Sequence, residues 1–418
     1  MTVDGPAGST GARLDESTRR AGVNRPAPTV PDSRAGWWAV GMTFVALGVA
    51  FGFSYNFGSV VAPMRASLGL SAGQAGWVFS VFPFTFLALS GVTGRLADRY
   101  GPRPMLAVGG LVLAAGLGLT ATAGHVATAV AGYLVVGVGV SCAYVPSVAN
   151  VGAWFVRHRV QAIGIAVTGI GAGTVLGPIV TAALVDALGW RRTEAWLGLA
   201  AMVVLLACAA AMPVAARRRH ADATWTAGRL AGDPMFRTLY ASGFAMGLVL
   251  YVPFVFVAPM AEQGGVTPIR AAALISVIGF ASTAARILFG LVAGRVGVVT
   301  AYKATTVTIW ASFLIWVPSR SYWVLLVFAL VFGAGYGGNI ALMPAMLGHY
   351  YGIDSLGTVT GVMFTSASVG ALFGAPLAGL LIGASGGYLL PAVVTFAVAT
   401  LGTAGQVFLP KVHRSGTP

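Results

Sequence analysis

Arg286 is the residue of this chain best placed to do chemistry. It sits in "STAARILFG" (282 to 290), inside an apolar run from about residue 270 to 293. Counting about eight residues to Gly294 puts its backbone roughly 12 Å inside the end of that run, at 1.5 Å per residue. A charge at such depth is costly unless it faces a cavity, a partner or, by snorkelling, the interface. All eleven Asp and Glu fall in tails, breaks or helix ends, so no acid is at hand to pair with it. Two uses remain besides snorkelling: capping backbone carbonyls, or binding an anion brought in from solution. The second suits a guanidinium well, because its planar fork matches a carboxylate bidentately and fixes orientation as well as charge.

The elements that must position Arg286 follow from composition. The chain has 418 residues, 57% hydrophobic and 9% charged, with mean hydropathy +0.83. That is an integral membrane protein, not a soluble domain. Twelve apolar runs predict an all-α fold of twelve transmembrane helices, among them 37 to 61, 77 to 97, 161 to 185, 236 to 260 and 270 to 293. The 58 glycines and 21 prolines suit close packing of membrane helices. The expected organisation is a disordered tail (1–35), a six-helix half (36–213), a linker loop (214–235), a second half (236–410) and a short tail (411–418).

Net charge is +14, but 19 of the 25 Lys and Arg lie in the two tails and in the breaks after the second, fourth, sixth and eighth runs. The positive-inside rule then places both termini in the cytoplasm of an inner, plasma membrane, and excludes nucleic acid as the reason for the charge. Cys142 and Cys208 fall inside apolar runs and read as small packing residues. His349 ends the tenth run and reads as a loop or interface residue. No HExxH, GxSxG or phosphate-binding glycine loop is present, so the chain is expected to be no enzyme and to need no cofactor or metal.

The two halves repeat at an offset of 196 to 198 residues. Tyr55 with Ala62-Pro63-Met64 recurs as Tyr251 with Ala258-Pro259-Met260. "GRLADRYG" (94 to 101) recurs as "GLVAGRVG" (290 to 297). "GIAVTGIGAGTVLGP" (164 to 178) recurs as "GVMFTSASVGALFGAP" (361 to 376). Two parallel halves about one midplane cavity provide for alternating access.

"GRLADRYGPRP" resembles the loop between the second and third helices of the major facilitator superfamily, with Gly94, Asp98, Arg99, Gly101 and Arg103 in the expected spacing. An acid and bases at a helix end can pair across the halves and latch one conformation. The second copy has Gly294 in place of the acid, so such a latch is one-sided. Within the superfamily the chain resembles the monocarboxylate transporter and oxalate:formate antiporter group, through "GWWAVGMTFVALGVAFGFSYNFG", "YVPSVANVGAWFVRHRVQAIGIAVTGIGAG" and "STAARILFGLVAG".

That resemblance implies a transporter in which Arg286 matches the family's substrate-carboxylate ligand. The related oxalate exchanger uses a second base in its eleventh helix, where this chain has Ala367. One cation in an otherwise neutral cavity favours a monocarboxylate, since a second carboxylate would be buried unpaired. Tyr55, Asn56, Tyr144, Tyr251 and Asn339 are the expected polar wall of the cavity. Ser59 and Ser282 stand where animal members of the group carry the lysine and aspartate that move a proton. A coupled proton, a counter-anion and uniport therefore all stay open. The partners expected are a small carboxylate, the lipid bilayer and no second subunit. The alternative is a proton-driven drug or metabolite exporter of the same superfamily: "GTVLGP" (173 to 178) partly resembles the exporter signature, but Thr181 and Ala182 replace its glycines.

Overall fold

The computed structural model describes residues 32–215, 225–316, 321–352 and 356–408. The expected tails and the middle of the linker, residues 1–31, 216–224 and 409–418, lie outside the described residues. Among the described residues, twelve helices are long and apolar enough to cross a bilayer: α1 (Arg34–Leu68), α2 (Ala72–Tyr100), α3 (Pro102–Ala121), α4 (Val126–Trp154), α5 (Gln161–Leu188), α6 (Trp190–Ala211), α7 (Pro234–Gln263), α8 (Pro268–Val296), α9 (Val298–Trp316), α10 (Tyr322–Tyr351), α11 (Leu356–Ser385) and α12 (Leu389–Val407). Several outrun the apolar stretches that announced them. At the start of α2, Ser71 and Gln74 form a capping box: Ser71 Oγ accepts from the Gln74 N–H at 3.2 Å, and Gln74 Oε1 accepts from the Ser71 N–H at 2.9 Å. Capping, not hydropathy, sets that boundary.

The sequence repeat is a repeat of backbone shape. α1 is interrupted at Tyr55 and Asn56, between Arg34–Ser54 and Phe57–Leu68, and α7 at Tyr251, between Pro234–Leu250 and Val252–Gln263. In α7, Pro253 cannot donate an N–H and its ring crowds the preceding turn. In α1, Ser54 Oγ donates to the Ala50 carbonyl at 2.6 Å, a back-bond of the kind that bends helices. Left-handed glycines also come in repeat-related pairs: Gly69 (φ 64°) with Gly265 (85°), Gly101 (90°) with Gly297 (86°), and Gly189 (78°) with Gly386 (66°).

Helix connections alternate between two faces. The face bearing Arg95, Arg103, Arg157, Arg229, Arg237 and Arg295 is called here the basic face. The halves meet through α2 on α11, α5 on α8, and the outer segment of α1 on that of α7. Away from the basic face the seam is closed backbone to backbone: a Cβ on Gly76 would lie 2.6 Å from Ala375 and Pro376. Toward the basic face the seam is splayed. Gly91, Val92, Arg95, Leu96 and Asp98 of α2 are exposed, as are Ile287, Leu288, Gly290 and Leu291 of α8, and a Cβ on Gly91, on Gly164 of α5, on Gly290 or Gly294 of α8, or on Gly361 of α11 would meet nothing within 4 Å. The molecule is therefore closed on one face and open on the basic one.

Candidate functional site

The site lies where the closed seam ends. Arg286, on α8, turns its guanidinium toward the other half, and its Nη1 donates to the Val167 carbonyl of α5 at 2.9 Å. The side chain as a whole is partly exposed, yet its Nε is buried with no hydrogen-bond partner. A side-on carboxylate uses the edge formed by Nε and Nη2, the edge that points away from Nη1. The cap on Val167 therefore leaves the carboxylate-binding edge of the fork available. Backbone capping and anion binding, alternatives on sequence alone, are compatible in one side chain.

Around the guanidinium stand phenols from both halves. The Tyr55 and Tyr336 hydroxyls, from α1 and α10, are 3.0 Å apart. Tyr251, at the break of α7, and Tyr144, on α4, complete the group: Tyr251 interacts with Tyr55 and Tyr336, and Tyr144 with Arg286. Phe254 packs its ring 4.8 Å from that of Tyr55 and 5.5 Å from that of Tyr336. Ile170, Thr174 and Ser282 line the same gap, which has room for about one water. Ser282 Oγ, one turn before Arg286, is buried and unpartnered.

The structure thus brings Arg286, Tyr55, Tyr144 and Tyr251 together. It does not bring in Asn56 or Asn339. Asn56 Nδ2 donates to Thr181 of α5 at 2.9 Å, and Asn339 Nδ2 donates to Thr306 of α9 at 3.2 Å. Each spends its amide on holding helices of one half together, the usual use of such groups in lipid. Ser59, likewise, donates to the Pro178 carbonyl of α5 at 3.1 Å. Tyr336 was missed from sequence because it has no counterpart in the first half; Asn339, less than one turn later, faces α9 instead. Glu194, read as a helix-end acid, is fully buried.

The acid of the expected latch is not paired across the seam among the described residues. Asp98 is exposed and makes no ion pair among the described residues. Arg103 Nε donates to the Met212 carbonyl at 2.6 Å, within its own half, and Arg99 lies over the Tyr100 ring, 5.4 Å from its centroid. Gly101 makes the turn with φ 90°. A Cβ on Gly94 would meet Val145 of α4, in its own half, at 3.4 Å, and no other atom within 4 Å.

Twelve membrane-crossing helices in two repeated halves, closed on one face over a midplane cation, are matched by the family described as Major Facilitator Superfamily, over residues 42–317 and 239–415. The chain belongs to the major facilitator superfamily. Among relatives of this major facilitator, an MFS-type transporter of Gibberella moniliformis is 30% identical over 81% of this chain and 82% of its own length. Monocarboxylate transporter 3 of Rattus norvegicus is 28% identical, over 88% and 78%. A fujikurins efflux protein of Gibberella fujikuroi is 27% identical, over 80% and 73%. The fold is shared with a bacterial homologue of the human lysosomal transporter Spinster, solved in an inward-facing and unoccupied conformation, at TM-score 0.66 and 16% identity over 90% of this chain and 95% of that one. The protein is a multi-pass membrane transporter of that superfamily, similar in sequence to monocarboxylate transporters, and not an enzyme.

Proposed function

We propose that this major facilitator carries small monocarboxylate anions across the plasma membrane by alternating access, with Arg286 as the carboxylate anchor. The observation that carries the reading is the unpartnered Nε of a guanidinium set between the two halves, ringed by phenols and, among the described residues, by no acid. A carboxylate on the Nε and Nη2 edge would touch α8 directly and the tyrosines of α1, α7 and α10 through its oxygens or a 2-substituent. It would thereby join the halves at the point about which they rock. One cation balances one carboxylate, and a second carboxylate would be buried unpaired. The expected units, 36–213 and 236–410, move as the two rocking bodies, and a single chain suffices. The positive-inside rule makes the basic face cytoplasmic, so the conformation described is inward-open. Asp98 and Arg103, with Arg99, Gly94 and Gly101 beside them, would then form the latch when that face closes.

The test is ligand-dependent thermal stabilisation of the purified protein with lactate, pyruvate, succinate, oxalate and cationic dyes, beside Arg286→Gln. Stabilisation by the monocarboxylates alone, lost in the variant, is the expected result. Stabilisation by cationic dyes that survives the substitution would replace this reading with the exporter one, which the efflux-named relative and the aromatic walls favour.

A further inference from the structure

Glu194 is a buried carboxyl that the carboxylate site does not use. It stands near the start of α6, toward the face opposite the basic one, and is 0% exposed. Its Oε1 accepts from the Tyr133 hydroxyl of α4 at 3.4 Å, and its Oε2 is buried with no hydrogen-bond partner. No cation meets it. On its own helix, Arg191 donates Nη2 to the Ala123 carbonyl at 2.9 Å and lies over the Trp190 ring, 4.3 Å from its centroid; Arg192 is exposed. From α1, Arg65 gives its Nε to the Leu70 carbonyl at 3.3 Å. From α3, Arg103 is at the opposite end of the bundle on Met212, and on α5 Asp186 is exposed. His125, capping α4, is taken up with Thr128. Tyr133 is thus the titratable group that faces Glu194, and a phenol brings no positive charge.

A carboxylate in this position is stripped of water and half of its acceptor capacity goes unused, whereas a neutral carboxylic acid has far less to lose. Burial and protonation therefore go together. What keeps water out is the outer segment of α1. Phe57, the first residue after the break at Tyr55 and Asn56, sets its ring 5.1 Å from that of Tyr133, edge to face. The same segment is tied to α6 where the Trp190 Nε1 donates to Ser67 Oγ at 2.9 Å, and it packs against the outer segment of α7 from the other half. Parting the halves on that face removes the α7 support from the cover over Glu194.

We propose that Glu194 is a proton-binding site, occupied while the face opposite the basic one is closed and emptied to water when that face opens. An O–H bond forms on the Glu194 carboxylate with a proton taken from water on that face, and breaks to return it there. The site rests on the alternating-access reading above but not on the identity of the substrate. Acid on that face accordingly favours the conformation described here, and the break in α1 joins the proton to the Arg286 cavity through Tyr55.

The experiment uses reconstituted full-length protein without substrate, with Cys142→Ala and Cys208→Ala, and spin labels at Arg95→Cys and Arg295→Cys on the basic ends of α2 and α8. As pH falls, the wild-type label distance is expected to shift toward the splayed state. Glu194→Gln, a neutral isostere that keeps the Tyr133 contact, is expected to stay splayed at every pH. In parallel, infrared difference spectra between acid and alkaline pH should show a protonated-carboxyl band that Glu194→Gln lacks. A wild-type spectrum without that band, or the same pH response of the distance in both proteins, overturns the proposal. Loss of wild-type stabilisation by monocarboxylates would overturn the carrier reading instead and leave both of these readouts standing.

Discussion

The hydroxyls of Tyr55 and Tyr336, 281 residues apart in the chain, lie 3.0 Å from one another across the seam between the two halves. Their bond closes the roof over Arg286, and it links the break in α1 to α10. A neutral bond of this kind contributes about 1 kcal/mol net. Tyr55→Phe and Tyr336→Phe should each shift the balance between open states by about fivefold, the equivalent of that energy at room temperature. The double variant should add little to either single one, because both remove the same bond. Label distances across α2 and α8 read the balance. Additive effects would mean that the two hydroxyls act separately.

Arg286→Lys separates the two uses of the guanidinium. An ammonium can still donate to the Val167 carbonyl that Arg286 Nη1 now caps at 2.9 Å. It cannot present a fork. Lactate uptake by reconstituted protein is expected to fall at least about tenfold, with thermal stability close to that of the parent, in keeping with the loss of one bidentate contact. Full uptake in the lysine variant would show that capping is the residue's whole task.

Asn56 and Asn339 should behave as structural residues. Asn56→Ala and Asn339→Ala each remove an amide that bonds Thr181 or Thr306 within one half. The expected loss is about 1 kcal/mol of stability for each, on the scale of interhelical hydrogen bonds in membranes. Lactate affinity should not change. A lowered melting temperature with intact affinity, measured in the same titration, checks this; a selective loss of affinity would return them to the substrate site.

Asp32, beyond the end of α1, carries a pH dependence of its own. Burial acts to raise its pKa, but the N–H groups of Arg157 and His158, each 3.2 Å from a carboxylate oxygen, and the His158 ring at 3.4 Å outweigh it. The net shift is downward from the ordinary value. A group with a lowered folded-state pKa stabilises fully above its unfolded pKa, and that contribution is lost as pH falls through the folded one. The tether of Asp32 to the loop after α4 should therefore hold at neutral pH and release in acid. Cleavage by trypsin at Arg34 is expected to quicken in Asp32→Asn at neutral pH, with little change in melting temperature.

How much of this was legible in the sequence depended on the length scale of the cause. Twelve spans, two halves and the paired tyrosines at 55 and 251 follow from bilayer thickness and from a repeat, both of which act along the chain. The depth of Arg286 was legible from its place within the apolar run; its bond to the Val167 carbonyl of the other half was not. The orientation of Asn56 and Asn339 was not, since either side of a helix is polar or apolar only by virtue of the neighbour it meets. Tyr336 had no repeat partner to mark it. Glu194 is five residues into α6, a position that reads as a wet helix end, and only the packing of α1 and α4 around it makes it dry.

The seam itself offers the last prediction. α2 and α11 touch at Gly76, where a Cβ would lie 2.6 Å from the backbone of Ala375 and Pro376, and atoms of backbone cannot step aside as a side-chain tip can. Gly76→Val must therefore push α2 away from α11 on the face opposite the basic one. The helices remain long and apolar, so insertion should survive. Closure of that face should not, and the rocking motion then has one end state in place of two. Lactate uptake is expected to be lost, while the labels at Arg95→Cys and Arg295→Cys move toward the shorter distance of a closed basic face. Retained uptake with an unchanged label distance would mean that the contact between α2 and α11 yields without opening, and that closure of the carrier is governed elsewhere along the seam, at Thr174 and Gly279 between α5 and α8.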